Sequence, residues 1–271
     1  MKTRLLCLSA CLALMLSSSA VVAINMDMDV EVDARFTSAN VWRGQILNDE
    51  ACFQPELYFR GSNLAFSLWG TWNLTDAPGG STQTRMDAAL EYSYVLGERN
   101  IFKPGLIGYI YHDDQAGKAK DTFEVYLKYT LDTIMLPSVE AYYDFSQVEG
   151  FYGVFQLLHS FDVGSAFEMD QGMVGLDFKA AVGAADKAYL AAKFRVPANT
   201  ELKTEEFVPD EAGLVAFTAE VSLPSAVGDR IVVKPAVKYM TLLNDEIKDA
   251  LKNVGKDTDE IVYSLTIGVT F

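Results

Sequence analysis

Residues 261–271 read Ile-Val-Tyr-Ser-Leu-Thr-Ile-Gly-Val-Thr-Phe, and this stretch decides the fold. The odd-numbered positions are large and apolar, whereas the even-numbered positions are mostly small and carry no charge. A period of two sends successive side chains to opposite faces of a β-strand. A soluble domain rarely ends on its most apolar strand, but the last strand of a transmembrane β-barrel turns such a row toward lipid. The stretch therefore predicts a wall strand of a membrane barrel.

The other end of the chain predicts export to the cell envelope. Two basic residues precede an uncharged run from Leu5 to Met26, and small residues within this run offer a cleavage site after Ala23. Such a pattern is typical of a secretory signal peptide. We therefore expect residues 1–23 to be cleaved and residues 24–271 to form the outer-membrane domain. A retained anchor helix and a lipoprotein acylated at Cys11 are the alternatives.

The composition of the exported part narrows the class of protein. Without the leader the chain carries 37 acidic and 20 basic residues, which argues against a nucleic-acid partner, because nucleic acid requires a basic surface. Cys52 is the only cysteine left, so neither an internal disulfide nor a thiolate metal cluster can form. No exported stretch reaches the roughly 18 apolar residues of a spanning helix. We expect no cofactor and no metal.

The alternation continues along the exported chain and predicts the fold class. Starting near Met26, short turns and longer loops separate strands of opposite-facing apolar and polar rows. The pattern predicts a closed, antiparallel, up-and-down transmembrane β-barrel of about 12 strands, within a range of roughly 10 to 14. Connections after odd strands are expected to be long and those after even strands short. A soluble two-layer sandwich is the alternative, since it also alternates.

Charged side chains occupy the rows predicted to face the lumen. Isolated charges do not stay in an apolar interior, so either water fills the lumen or the charges pair across it. Acidic residues outnumber basic ones, which favours cations. The predicted pore-lining residues are Glu31, Asp33, Arg35, Glu56, Arg60, Arg85, Asp87, Glu91, Glu124, Lys128, Glu140, Asp144, Asp177, Lys179, Glu220, Lys234 and Lys238.

These rows predict a narrow porin-like channel that passes small hydrophilic solutes by passive diffusion. A sealed, charge-paired barrel with a structural or surface-adhesion role is the alternative. An outer-membrane hydrolase is a third possibility, but no catalytic set stands out: His159 and Ser160 are adjacent and so face opposite ways, and His112 borders a loop. We therefore predict no enzyme. The expected partners are the outer-membrane bilayer, the solutes, and the outer-membrane assembly machinery acting through the strand that ends in Phe271.

One N-terminal segment has a sharper identity. Residues 36–45 read Phe-Thr-Ser-Ala-Asn-Val-Trp-Arg-Gly-Gln, and residues 53–55 read Phe-Gln-Pro. This pattern resembles the start of the TorF-type porin family of bacterial outer-membrane proteins, whose function is largely undefined. The resemblance implies an outer-membrane barrel of porin architecture and does not imply a substrate. The residues that carry it are Thr37, Ser38, Trp42, Arg43 and Gly44.

The chemistry of this motif permits two interpretations. Gly44 would allow a bend where the first strand meets its loop, because glycine adopts backbone angles that other residues avoid. Arg43 would pair with carboxylates of the lumen or of the loops. The motif is then either a corner that closes the fold or a binding site, and the corner is the interpretation that we favour.

Overall fold

The computed structural model describes residues 28–75, 83–111, 120–167, 170, 173–202 and 204–271. The predicted signal peptide and His112 lie outside the described residues, so the signal peptide and the position of His112 beside a loop stay predictions. Twelve long strands dominate the described chain. They are β1 (Met28–Thr37), β2 (Cys52–Gly61), β3 (Leu64–Asn73), β4 (Gln83–Tyr92), β5 (Asn100–Tyr111), β6 (Thr122–Leu131), β7 (Ser138–Asp144), β8 (Gly150–Asp162), β9 (Gly175–Ala185), β10 (Gly213–Ser222), β11 (Ile231–Leu242) and β12 (Asp259–Thr270).

The strands form one closed antiparallel sheet. Each of them pairs with its neighbours along the chain, and β1 pairs with β12 in a register that sets Asp33 opposite Gly268 and Ala34 opposite Ile267. A sheet that closes on itself has no free edge, so every wall strand has two partners. The predicted fold class, a closed antiparallel barrel of about 12 strands, is confirmed.

The exterior of the barrel is apolar, as residues 261–271 predicted. On β12, Ile261 and Tyr263 are 50% and 60% exposed, whereas Val262 and Thr266 on the opposite face are buried at 4%. Apolar side chains of the other strands continue this outward surface around the cylinder. A belt of exposed apolar residues on every side of a closed barrel is the surface that lipid requires. The protein is therefore a transmembrane barrel.

Strand β5 resolves an ambiguity of the sequence, in which both rows are apolar. Leu106 is 51% exposed on the outside, whereas Tyr109 is 2% exposed and faces the lumen. The row that contains Tyr109 faces the lumen, where the Tyr109 hydroxyl donates a hydrogen bond to the Glu124 carboxylate on β6.

Structured insertions lie at the end of the barrel opposite Met28 and Phe271. A two-stranded hairpin, Asn40–Trp42 with Gln45–Asn48, follows β1. Helix α1 (Lys187–Lys193) follows β9, and helix α2 (Asp245–Asn253) follows β11. Within the described part of the chain, no helix is long and apolar enough to cross a bilayer.

A hydrophobic cluster joins these insertions to the wall. Asp186 caps α1 by accepting the Tyr189 N–H, and Asn244 caps α2 by accepting the Ile247 N–H, so both helices start at fixed points. Their apolar faces then meet inward side chains of β8 to β11. The cluster consists of Tyr152, Ala185, Tyr189, Leu190, Phe194, Val215, Ala216, Met240, Leu242 and Ile247.

The loop lengths follow the predicted asymmetry with two exceptions. Connections 38–51, 186–212 and 243–258 are long and follow odd strands. Connection 145–149 is short although it follows β7, because the Asp144 carboxylate accepts three successive backbone N–H groups and tightens the turn. Connection 163–174 is long although it follows β8, which the sequence did not anticipate.

Candidate functional site

The strand registers place the predicted pore-lining residues on the inward rows. On β1, for example, Glu31, Asp33 and Arg35 alternate with outward Val32 and Ala34. The same alternation makes the other predicted pore-lining residues face inward. They lie on β2, β4, β6, β7, β9, β10 and β11.

An ion-pair cluster lies on the wall formed by β4, β5 and β6. Glu91 is 3.2 Å from the Lys103 ammonium group and 3.1 Å from the Lys128 ammonium group, and it accepts a hydrogen bond from the Tyr126 hydroxyl. Sequence reasoning missed Lys103, because the facing of β5 was ambiguous. The signal that could have found it is its odd-numbered position, in register with Tyr109 and Tyr111.

A second buried pair joins two neighbours on one strand. Arg85 Nε lies 2.8 Å from an oxygen of Asp87, and both side chains are almost fully buried. The guanidinium also faces the Trp42 ring at 4.4 Å and the Trp69 ring at 5.2 Å. Aromatic faces attract cations, so the two rings hold Arg85 against the wall.

The motif residues Arg43 and Gly44 form the tip of the hairpin. Trp42 pairs with Gln45, and the two residues between them have φ of 48° and 80°. Positive φ at both central positions is the geometry of a type I′ turn, which glycine adopts without strain. The expectation that Gly44 bends the junction of β1 and its loop is therefore corrected: β1 ends at Thr37, and Gly44 turns the hairpin further along.

The hairpin tip crosses the lumen. On one side Arg43 reaches Glu124 on β6, and on the other a β-carbon at Gly44 would meet Ala216 and Val215 of β10 at 3.0 Å. The Gln45 amide also donates a hydrogen bond to a backbone carbonyl at the end of α1. Loop 38–51 therefore bridges opposite walls and constricts the lumen toward the end that carries the helices.

Arg43 forms a bidentate salt bridge with a lumen carboxylate, as predicted. Its Nη1 and Nη2 donate to the two oxygens of Glu124 at 2.8 Å each, and the Glu124 side chain is 1% exposed. The hydroxyls of Tyr189 and Tyr109 accept further bonds at 3.1 Å. A bidentate guanidinium–carboxylate pair fixes geometry as well as charge.

Aromatic rings enclose the same guanidinium. Its central carbon lies 4.7 Å from the Trp42 ring, 4.3 Å from the Tyr142 ring and 4.6 Å from the Tyr152 ring. Burial alone lowers the pKa of Arg43, but the neighbouring tyrosines and Glu124 outweigh it and hold this pKa well above its usual value. The hairpin therefore keeps its positive charge at any physiological pH.

Helix α1 adds a second cation beside the constriction. Burial lowers the pKa of Lys193, and the Asp144 and Glu124 carboxylates oppose this effect. The Lys193 ammonium lies 5.6 Å from the Trp42 ring. Burial also raises the pKa of the Tyr189 hydroxyl, so that side chain stays neutral.

Among the described residues, two cavities lie within the lumen. One, of about 210 Å³, is lined by Glu31, Asp33, Glu56, Tyr58 and Arg60. The other, of about 350 Å³, is lined by Glu56, Tyr58, Ala65, Ser67, Trp69, Asp87, Ala89, Glu91, Lys103, Ile107, Tyr126, Lys128 and Tyr142. Because a water molecule has a liquid volume of roughly 30 Å³, both polar cavities have room for several waters.

The remaining predicted residues form smaller contacts on the inward wall. Lys179, Glu220 and Lys238 stand side by side across β9, β10 and β11. Four further inward residues take part in hydrogen bonds or lie opposite a partner. Arg35 donates to the Thr266 hydroxyl, Glu140 accepts from the Tyr142 hydroxyl, Lys234 lies opposite Thr266, and Asp177 lies opposite Ser222.

The first two motif residues act at the end of β1. The Thr37 hydroxyl donates to the Ala39 carbonyl, and the backbone N–H of Ser38 donates to the Tyr263 carbonyl. The Ser38 hydroxyl in turn accepts the Tyr263 N–H. The two Ser38 contacts join the end of β1 to β12, whereas the Thr37 contact is local. The corner role of the motif stays a prediction.

The histidine considered for catalysis lies on the outer surface. His159 contacts the Ile134 carbonyl and packs edge-on against Phe161, whereas its neighbour Ser160 lies on the inward row of β8. Among the described residues there is no group of three or more histidine, cysteine, aspartate or glutamate side chains arranged to hold a metal ion.

No protein-family model matches the chain, and no curated protein matches it. Among solved structures, the KdgM porin is 12% identical, with a TM-score of 0.49, over 89% of this chain and 99% of its own. The NanC porin is 12% identical, with a TM-score of 0.49, over 89% of this chain and 98% of its own. These likenesses are weak, so the fold rests on the strand pairing described above.

Proposed function

We propose that this protein is a porin-like channel of the bacterial outer membrane, through which small hydrophilic solutes diffuse passively. The observation that carries the proposal is a transmembrane barrel whose inward rows are charged and enclose polar cavities of about 210 and 350 Å³. Charged groups in a lumen need either partners or water. Ion pairs account for only part of them, so water fills the rest of the space.

Unpaired carboxylates support a preference for cations. Glu31, Asp33 and Glu56 line one cavity together, and in the described part of the chain none of the three forms an ion pair. Arg60 lines the same cavity but lies over the Tyr58 ring. A cavity with more acids than bases concentrates cations and repels anions.

The constriction favours one alternative, a sealed barrel with a structural or surface-adhesion role. The hairpin tip touches opposite walls, and the hydrophobic cluster fills the space beside α1. If the hairpin never leaves this position, conduction is blocked at that level although the cavities below it hold water.

Planar-bilayer recording of the refolded barrel distinguishes these functions. We expect discrete ohmic steps and, in a salt gradient, a reversal potential biased toward the cation. Glu56→Gln removes one unpaired carboxylate and should reduce this bias, and Glu220→Gln should reduce it as well, because it leaves Lys179 and Lys238 without the carboxylate between them. A correctly folded protein that gives no current steps would contradict the channel and favour the sealed barrel.

The proposed partners follow from the same architecture. The apolar belt contacts the outer-membrane bilayer, and we propose that the assembly machinery recognises β12, whose outward row runs from Ile261 to Phe271. Export then depends on the predicted signal peptide, residues 1–23.

Phe271→Ser should slow barrel assembly in cells. The heat-modifiable mobility of folded barrels on a gel measures this assembly. Unchanged assembly would contradict recognition of β12 by the machinery.

A further inference from the structure

The cage around Arg43 has two parts with different origins. Its carboxylate and most of its rings belong to the barrel wall: Tyr109 on β5, Glu124 on β6 and Tyr142 on β7. Tyr152 on β8 and Tyr189 on α1 complete it. Only the guanidinium, with the adjacent Trp42 ring, belongs to the hairpin.

The hairpin is separate from the barrel sheet. Its two short strands pair only with each other and form a two-stranded sheet of their own. Withdrawing the hairpin therefore breaks no hydrogen bond of the wall ladder. It would leave behind a pocket with one buried carboxylate and several tyrosine rings.

Such a pocket has a definite chemical preference. A carboxylate that accepts two parallel N–H hydrogen bonds favours a planar group with two adjacent donors, and aromatic faces favour a weakly hydrated cation. Guanidinium has both properties, whereas an ammonium group is compact and strongly hydrated. The seated Arg43 shows directly that a guanidinium fits the pocket, with both of its bonds to Glu124 at 2.8 Å.

A row of tyrosines connects this pocket to the larger cavity. Ring centroids are 5.5 Å apart between Tyr126 and Tyr142, 6.5 Å between Tyr142 and Tyr152, and 5.3 Å between Tyr152 and Tyr189. Tyr126 and Tyr142 line the cavity, and Tyr142 also stacks on the guanidinium. Glu140 accepts a bond from the Tyr142 hydroxyl and adds negative charge along the row.

We propose that the Glu124–tyrosine pocket is a binding site for solutes that carry a guanidinium group, and that Arg43 occupies it as an internal competitor. This inference rests on the proposed channel function, since such a solute would displace the hairpin and open the constriction. The tyrosine row then gives the bound solute a continuous aromatic surface from the pocket toward the larger cavity. The hairpin acts as a plug that the transported class of solute itself releases.

Binding is tested in detergent with the whole barrel, without any measurement of current. Arg43→Ala empties the pocket, and calorimetric titration with methylguanidinium should then show saturable binding, about tenfold tighter than that of ethylammonium. Binding should disappear in the Arg43→Ala, Glu124→Gln double variant. If Arg43→Ala does not fold, Arg43→Met replaces it, because methionine carries no charge that would compete with the probe for Glu124. The inference is overturned if the folded variant shows no saturable binding, binds ethylammonium equally well, or prefers a neutral sugar such as methyl glucoside.

Release of the plug is tested in bilayers with the unaltered protein. Methylguanidinium should raise the open probability several-fold over ethylammonium at the same ionic strength, and Arg43→Ala should be open without it. Equal effects of the two cations, or a variant as closed as the parent, would overturn the plug. Binding in detergent without any current would instead overturn the channel and leave the pocket standing, so the two failures are distinguishable.

Discussion

The pair between Arg43 and Glu124 should be the largest single-site contribution to the stability of the constriction. Arg43→Met removes the guanidinium but keeps much of the stem, which leaves a carboxylate that is 1% exposed without its cation. Breaking a buried ion pair from one side costs about 3 to 5 kcal/mol. The Tyr109 hydroxyl still donates to Glu124, so the lower end of this range, about 3 kcal/mol, is expected.

A double-variant cycle separates the charge from the packing. Arg43→Met with Glu124→Gln removes both charges of this pair, so the double variant should lose less free energy than the sum of the single variants, with a coupling of about 2 kcal/mol. Urea unfolding of the barrel in lipid vesicles, followed by tryptophan fluorescence, measures each free energy of unfolding. Additive effects, or a loss below about 1 kcal/mol for Arg43→Met, would refute the reasoning, because the hairpin would then not be held by this pair.

Two further substitutions test the constriction and the lipid-facing surface. Gly44→Ala places a β-carbon 3.0 Å from side-chain atoms of Ala216 and Val215, at a residue with φ +80°. It should lower the free energy of unfolding by about 2 kcal/mol more than Gly228→Ala, which has φ +69° and open space around it. Equal losses of stability in urea unfolding would contradict the close approach of the hairpin to β10. Leu265→Arg, near the middle of β12 on the outward row, should cost about 2 to 4 kcal/mol, whereas Ser264→Arg on the inward row should cost much less; the reverse order would invert the assigned faces.

The sequence determined the wall of this protein. Alternation with a period of two depends only on the geometry of an extended backbone, so the inward and outward rows of β12 could be read residue by residue. It also located the inward charges, such as Glu91 and Lys128, because a strand register that exposes the apolar row to lipid must turn the other row inward. Where both rows were apolar, as on β5, this rule gave no answer, and Lys103 was missed.

Only the tertiary structure decided what lies inside the wall. Arg43 and Glu124 are 81 residues apart, and no local pattern specifies which carboxylate of the lumen the arginine meets. The motif predicted an unusual backbone at Gly44 but not that the hairpin turns into the lumen, because that direction depends on contacts with β10, β11 and α1. Strand alternation is a property of neighbours along the chain, whereas a loop that folds into a cylinder is positioned by surfaces that exist only after the cylinder has closed.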